Sequence, residues 1–155
     1  MPWLSDLSTW AKGIAAILKP GGRFVLVEFH PFGMLFEEDW RLTYDYMGGK
    51  VEKFDEGIGD YVAYTGSVTG SEYVEGVVGF ENPHPAYEFA WGIADTVTAM
   101  IDAGLRIATL REYPYANGFR PYPDMRELPG RRFAMPEGMP DLPLMFGLVA
   151  HKSAD

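Results

Sequence analysis

Glu28, Phe29, His30 and Pro31 follow directly on the apolar run Phe24-Val25-Leu26-Val27. An imidazole and a carboxylate at the carboxyl end of a strand can orient a bound molecule or take a proton from it. His30 is therefore the candidate for positioning or proton removal, with Glu28, Phe29 and Pro31 lining the same mouth. A lone histidine beside a proline also serves as a hydrogen-bonded turn residue, and both readings stand. His84, between Pro83 and Pro85, can be placed across that mouth. With His30 and Glu28 it would complete a two-histidine, one-carboxylate metal set, but the spacing does not support one. A proline-fixed loop is the plainer reading of His84, and no metal is expected. Tyr87 and Trp91 lie four residues apart, so on a helix they share a face that can line a small-molecule pocket or pack on a loop. Tyr61 and Tyr64 are lid candidates, and Arg111 with Glu112 suits ion pairs at a strand end.

These residues need elements to hold them. Leu7, Trp10, Ile14, Ile17 and Leu18 recur at helical spacing and predict an amphipathic helix over residues 5–18. Ser5 or Asp6 can cap it, Pro20 stops it, and Gly21 suits a left-handed position after its end. Gly21-Gly22 is no phosphate cradle, because no helix start follows it. Arg23 to Phe29 then reads as a strand, apolar on both sides and so expected to be covered on both faces in the manner of a parallel sheet. A second helix is expected from about Ala86 to Ala103, with Phe89, Ile93, Val97, Met100 and Ile101 buried and Gly104 at its end. Strands are expected over Leu105–Tyr113 and Leu144–His151. Between these lie a thinly patterned helix over Met34–Tyr46, a β-rich insertion at 58–80 with strands near Asp60–Tyr64 and Tyr73–Phe80, and a proline-rich loop at 114–141. The whole reads as one domain over 1–155.

Composition narrows the function. The chain has 155 residues, 47% hydrophobic and 23% charged, which is globular composition. A net charge of −9 repels phosphate backbones, so no nucleic-acid partner is expected, although Arg126, Arg131 and Arg132 gather some positive charge. With no cysteine, disulfides, thiolate metal sites and a cysteine nucleophile are excluded. No apolar run has the length of a membrane span, and no signal peptide pattern opens the chain, so a cytoplasmic protein without membrane partners is expected.

An ordered set of motifs points further. Trp3-Leu4-Ser5-Asp6-Leu7, Trp10-Ala11, Leu18-Lys19-Pro20-Gly21-Gly22-Arg23-Phe24 and Glu28-Phe29-His30-Pro31 are followed by Tyr87-Glu88-Phe89, Ile101-Asp102-Ala103-Gly104-Leu105-Arg106-Ile107 and Arg111-Glu112-Tyr113. The set closes on Leu142-Pro143-Leu144-Met145-Phe146-Gly147-Leu148-Val149-Ala150. It resembles the class I S-adenosylmethionine-dependent methyltransferases across essentially the whole chain.

That resemblance implies an α/β fold, a partial Rossmann-like sheet of the family order 3-2-1-4-5-7-6. This chain would supply the fifth, sixth and seventh strands, the last antiparallel, with flanking helices and a small β insertion. It implies S-adenosyl-L-methionine as cofactor of the intact domain, with Trp3 and Leu4 bordering it after the fourth strand and His30, His84, Tyr87 and Trp91 near the acceptor. Trp3 packing under the first helix is the equal alternative. The family's glycine-rich turn and the acidic residue that binds the ribose are missing, so the chain is expected to be a C-terminal fragment, inactive alone. The fifth strand would then bear an unpaired edge that a second copy could cover. A non-enzymatic dimerisation or scaffold module, or a small-molecule-binding module, is the alternative function.

Overall fold

The computed structural model describes residues 1–47, 51–59 and 79–154. The expected strand near Asp60–Tyr64, with Tyr61 and Tyr64, and that near Tyr73–Phe80 up to residue 78 lie outside the described residues.

Helix α1 spans Leu7–Ile17 and buries Leu7, Ala11 and Ile14. Asp6 caps it, its Oδ1 accepting from the Thr9 N–H at 3.0 Å and its Oδ2 from the Thr9 hydroxyl at 2.6 Å. Those contacts hold the Asp6 carboxyl below the usual carboxylate range. Ile17, expected in the buried stripe, is 82% exposed because helical rotation turns it to the side of the stripe through Leu7, Ala11, Ile14 and Leu18. The helix end is closed from a distance: Lys152 Nζ donates to the carbonyls of Ala15 and Leu18 at 2.7 and 3.0 Å, satisfying acceptors that helix geometry leaves free. Gly21 has φ +73°, and a Cβ on Gly22 would stand 2.6 Å from the Lys19 carbonyl oxygen, so the double glycine is what lets the chain turn straight into a strand.

Strand β1 is Arg23–Phe29, β2 is Val51–Phe54, β3 is Ala86–Phe89, β4 is Leu105–Tyr113 and β8 is Met145–Lys152; helix α2 is Ile93–Asp102. The main sheet has the order β1-β8-β4, with β8 antiparallel to both neighbours. β1 and β4 therefore run in the same direction with a reversed strand between them. A bulge leaves Ala108 of β4 unpaired. Both helices lie on one face, where Ala11, Ile14, Met100, Leu105, Leu148 and Ala150 form a core joined by Phe24, Leu26 and Ile107.

The expectation that β1 is covered on both faces is corrected. Arg23, Val25 and Val27 alternate outward, with Val25 52% and Val27 61% exposed. Both helices occupy the face of Phe24 and Leu26, so the second apolar face meets solvent. Among the described residues β1 also has no partner on the side away from β8.

Two further expectations change. Ala86–Phe89 is strand, paired with β2 in the register Val51–Phe89 to Phe54–Ala86, so the second helix begins only at Ile93. The helix expected over Met34–Tyr46 is a 3₁₀ turn at Pro31–Met34 followed by a loop, which Trp40, at φ +63°, could not continue as helix. The proline-rich segment 114–141 carries three short strands: β5 (Tyr115–Asn117), β6 (Arg126–Leu128) and β7 (Arg132–Ala134), ordered β5-β7-β6. A second core of Ala116, Tyr122, Met125, Phe133, Met135 and Leu144 supports them. Tyr122 ties it to the 3₁₀ turn, donating to the Gly33 carbonyl at 2.6 Å, and burial pushes its phenol pKa up.

Candidate functional site

The carboxyl end of β1 brings most of the sequence-derived candidates to one edge. His30 is 4% exposed. Its Nδ1 accepts from the Phe32 N–H at 3.0 Å, which places the ring proton of the neutral form on Nε2, 2.8 Å from Glu112 Oε1. Its own N–H donates to the Leu144 carbonyl at 3.0 Å, and its ring stands edge-on to Phe146. Both ring nitrogens are thus engaged, and His30 pins the 3₁₀ turn to the ends of β4 and β8. Glu112, at the end of β4, is the hydrogen-bond partner of His30, so the strand-end contact expected of it is made to a histidine.

Glu28 has turned toward the start of the chain. Its Oε2 accepts from the Met1 ammonium at 2.7 Å and its Oε1 from the Phe29 N–H at 2.8 Å. The opening residues are held at two more points: Phe89 N–H donates to the Pro2 carbonyl and Trp91 Nε1 to the Leu4 carbonyl, each at 2.7 Å. Trp91 lies flat against Phe89 at 6.4 Å, and Trp3 remains 44% exposed. Leu4 and Trp91 therefore meet directly, while Trp3 faces outward. Phe29 packs edge-on to Phe119, and Pro31 opens the 3₁₀ turn.

His84 and Tyr87 stand apart from this group. His84 is exposed in a turn where its N–H donates to Asn82 Oδ1 at 3.0 Å. Tyr87 is 45% exposed on β3 opposite Lys53, so it does not share a helix face with Trp91. No three His, Asp or Glu residues converge as a metal centre among the described residues. No helix among those residues is long and apolar enough to cross a membrane.

Glu88, directly opposite Glu52 on the β2–β3 ladder, is half-buried, and its carboxyl pKa is raised mainly by burial and then by that like charge. A carboxyl raised on folding binds its proton more tightly in the folded state. Its ionisation then costs stability as pH rises through the window above the ordinary carboxylate value. Glu88→Gln is expected to stabilise the fold at neutral pH by less than about 1 kcal/mol, because solvent screens much of the charge. The gain should vanish as the pH falls below the ordinary carboxylate range, and urea unfolding at several pH values measures it.

Sequence reasoning missed a second feature. A shallow depression of about 300 Å³ opens on the uncovered face of the main sheet, lined by Val27, Tyr113, Tyr115, Asn117, Arg132 and Met145. It too lies where β1 and β4 end. The only sequence signal for it was the local concentration of arginine near Arg131 and Arg132.

The edge does not form a complete grip for S-adenosylmethionine. The Glu28 carboxylate accepts from the Phe29 N–H, and Leu4's carbonyl from Trp91. No Gly-x-Gly turn follows an apolar strand ahead of α1 in the sequence.

No protein-family model matches the chain, and no curated protein matches it. Solved structures do. A proposed S-adenosylmethionine dependent methyltransferase from Listeria monocytogenes superposes with a TM-score of 0.51 at 14% identity, over 98% of this chain and 57% of that one. An S-adenosylmethionine dependent methyltransferase from Mesorhizobium loti gives a TM-score of 0.50 at 14% identity, over 97% of this chain and 56% of that one. The chain thus shares its α/β fold, a partial Rossmann-like sheet, with S-adenosylmethionine-dependent methyltransferases over somewhat more than half of their length.

Proposed function

We propose that these residues form the carboxyl-terminal portion of an S-adenosylmethionine-dependent methyltransferase domain that transfers a methyl group to a small or medium-sized acceptor. By themselves they do not catalyse it. The observation that carries this reading is the reversed strand β8 set between the like-directed β1 and β4. That order matches the family's fifth, seventh and sixth strands, and the shared length with the two methyltransferases agrees with a partial domain.

Methyl transfer from a sulfonium is an in-line displacement in which proximity and orientation supply most of the acceleration. This chain's part is accordingly positional. His30, clamped by Phe32, Glu112 and Leu144, fixes the backbone at the end of β1, and Trp3 with Leu4 borders the edge where the family holds its cofactor. The family's glycine-rich cofactor grip is not among these motifs.

Calorimetry tests the reading. Residues 1–155 alone should give no saturable heat with S-adenosylmethionine at micromolar concentrations. A polypeptide joining them in frame to the residues encoded immediately upstream of Met1 should bind it in that range. Micromolar binding by residues 1–155 alone, or none by the joined polypeptide, would contradict it.

A further inference from the structure

The depression on the uncovered sheet face is built by two different sheets meeting at Pro114. Tyr113 is the last residue of β4 and Tyr115 the first of β5, and Pro114 between them breaks the ladder so that one ring belongs to each sheet. The rings lie 5.7 Å apart with their planes at 43°. In β5 the side chains alternate: Ala116 enters the second core, so Tyr115 and Asn117 share the opposite face. Arg132 of β7 is directly opposite Asn117 and diagonal to Tyr115, which sets its guanidinium 4.9 Å from the Tyr115 ring centroid. Arg132 Nε is anchored by the Pro129 carbonyl at 3.0 Å. Val27 and Met145 supply an apolar floor. Gly147 lets the Tyr113 ring lie close over β8, because a Cβ there would come within 3.3 Å of it.

The charge arrangement is uneven. The chain carries 22 acidic and 13 basic side chains, yet Arg132 has no carboxylate partner among the described residues. Its guanidinium is held by a ring and a carbonyl, neither of which neutralises it. A guanidinium fixed in this way presents its Nη groups for a bidentate contact with a carboxylate. The two tyrosine rings and the apolar floor suit a flat hydrocarbon or aromatic body beside that contact. A volume near 300 Å³ is at the small end of ligand pockets.

We propose that this depression is a binding site for a small aromatic carboxylate, with Arg132 holding the carboxylate and Tyr113, Tyr115, Val27 and Met145 holding the ring. The site stands on its own geometry, so binding is expected whether or not the chain takes part in methyl transfer.

The test uses 2-naphthoate as probe and 2-naphthamide as its uncharged counterpart, each titrated into the full chain and followed by methyl NMR. The Val27 and Met145 methyl signals should shift saturably with the acid, while those of Leu148, on the helix-covered face, stay in place. The amide should bind at least tenfold more weakly. Arg132→Gln should weaken the acid at least tenfold, and Arg132→Lys should fall between, since it keeps the charge but not the fork. Tyr115→Leu should weaken acid and amide alike. Equal affinity for acid and amide would overturn the proposal. So would shifts that avoid Val27 and Met145, unchanged binding in a folded Arg132→Gln variant, or inorganic phosphate displacing naphthoate at equal concentration. The acid–amide comparison on the unaltered chain decides the matter even if a variant fails to fold.

Discussion

Leu148→Ala should destabilise the chain by about 3 kcal/mol, within the ~2–5 kcal/mol usual for removing a buried leucine side chain. Leu148 has no exposed surface and sits at the centre of β8, opposite Leu26 of β1 and Leu110 of β4. It packs in the same cluster as Ala11, Ile14 and Met100, so the cavity would open between both helices and the sheet. Domains of this kind have only about 5–15 kcal/mol of stability in total, and the change should be large in urea unfolding. Val25→Thr provides the contrast. Val25 is 52% exposed on the uncovered face, and its replacement should alter stability by no more than about 0.5 kcal/mol. Equal losses at the two positions would mean that the second face is covered after all.

His30→Ala is expected to cost about 2–3 kcal/mol, for a different reason. Truncation removes the acceptor for the part-buried Phe32 N–H and empties the buried space of the imidazole beside Phe146, while the exposed Glu112 carboxylate can turn to water. His30→Asn should recover part of that loss. The amide oxygen of asparagine can take over the Nδ1 contact, as it does at other turn and helix starts, while the reach to Glu112 is lost. Thermal and urea unfolding of the two variants measures the difference. If alanine and asparagine are equally costly, the cap on the 3₁₀ turn is not what His30 contributes. If both are neutral, the clamp at the end of β1 does not hold the site edge as described.

Much of this architecture could be read from the residues. β1 and β4 begin and end where the sequence placed them, and β8 lies within one residue of its expected span, because Gly22 and Pro31 bracket β1, Gly104 and Pro114 bracket β4, and Pro143 precedes β8. Helix α1 was legible from its spacing and from Asp6. The start of α2 was misplaced because Tyr87 with Trp91, and Phe89 with Ile93, fit four-residue helical spacing, while Tyr87, Phe89 and Trp91 equally fit the two-residue step of a strand. The better signal was Gly92, whose N–H donates to Asp95 Oδ2 at 2.9 Å, three residues on, as helix starts commonly arrange. Three-residue strands such as β5, β6 and β7 are too short for any period to register, and the prolines around them read only as loop.

The functional edge divides in the same way. His30 and Glu28 were legible as strand-end residues, but their partners were not. Glu112 is 82 positions from His30, and the contact exists only because β8 brings the ends of β1 and β4 to one side. Arg132 reaches Tyr115 through pairing of strands that the sequence does not announce. The exposed face of β1 was misjudged for a simpler reason: an apolar run states that cover is needed, not that these residues provide it.

Amide hydrogen exchange along the main sheet tests the central claim most directly, that the strand order is β1-β8-β4 with the far edge of β1 unpaired among the described residues. In dilute samples of residues 1–155, the amides of Arg23–Phe29 should alternate between slow and fast exchange, according to whether they face β8 or the open edge. Those of β8, bonded on both sides, should all be slow. Uniform protection along β1, or an unprotected set within β8, would contradict the strand order on which the methyltransferase reading rests.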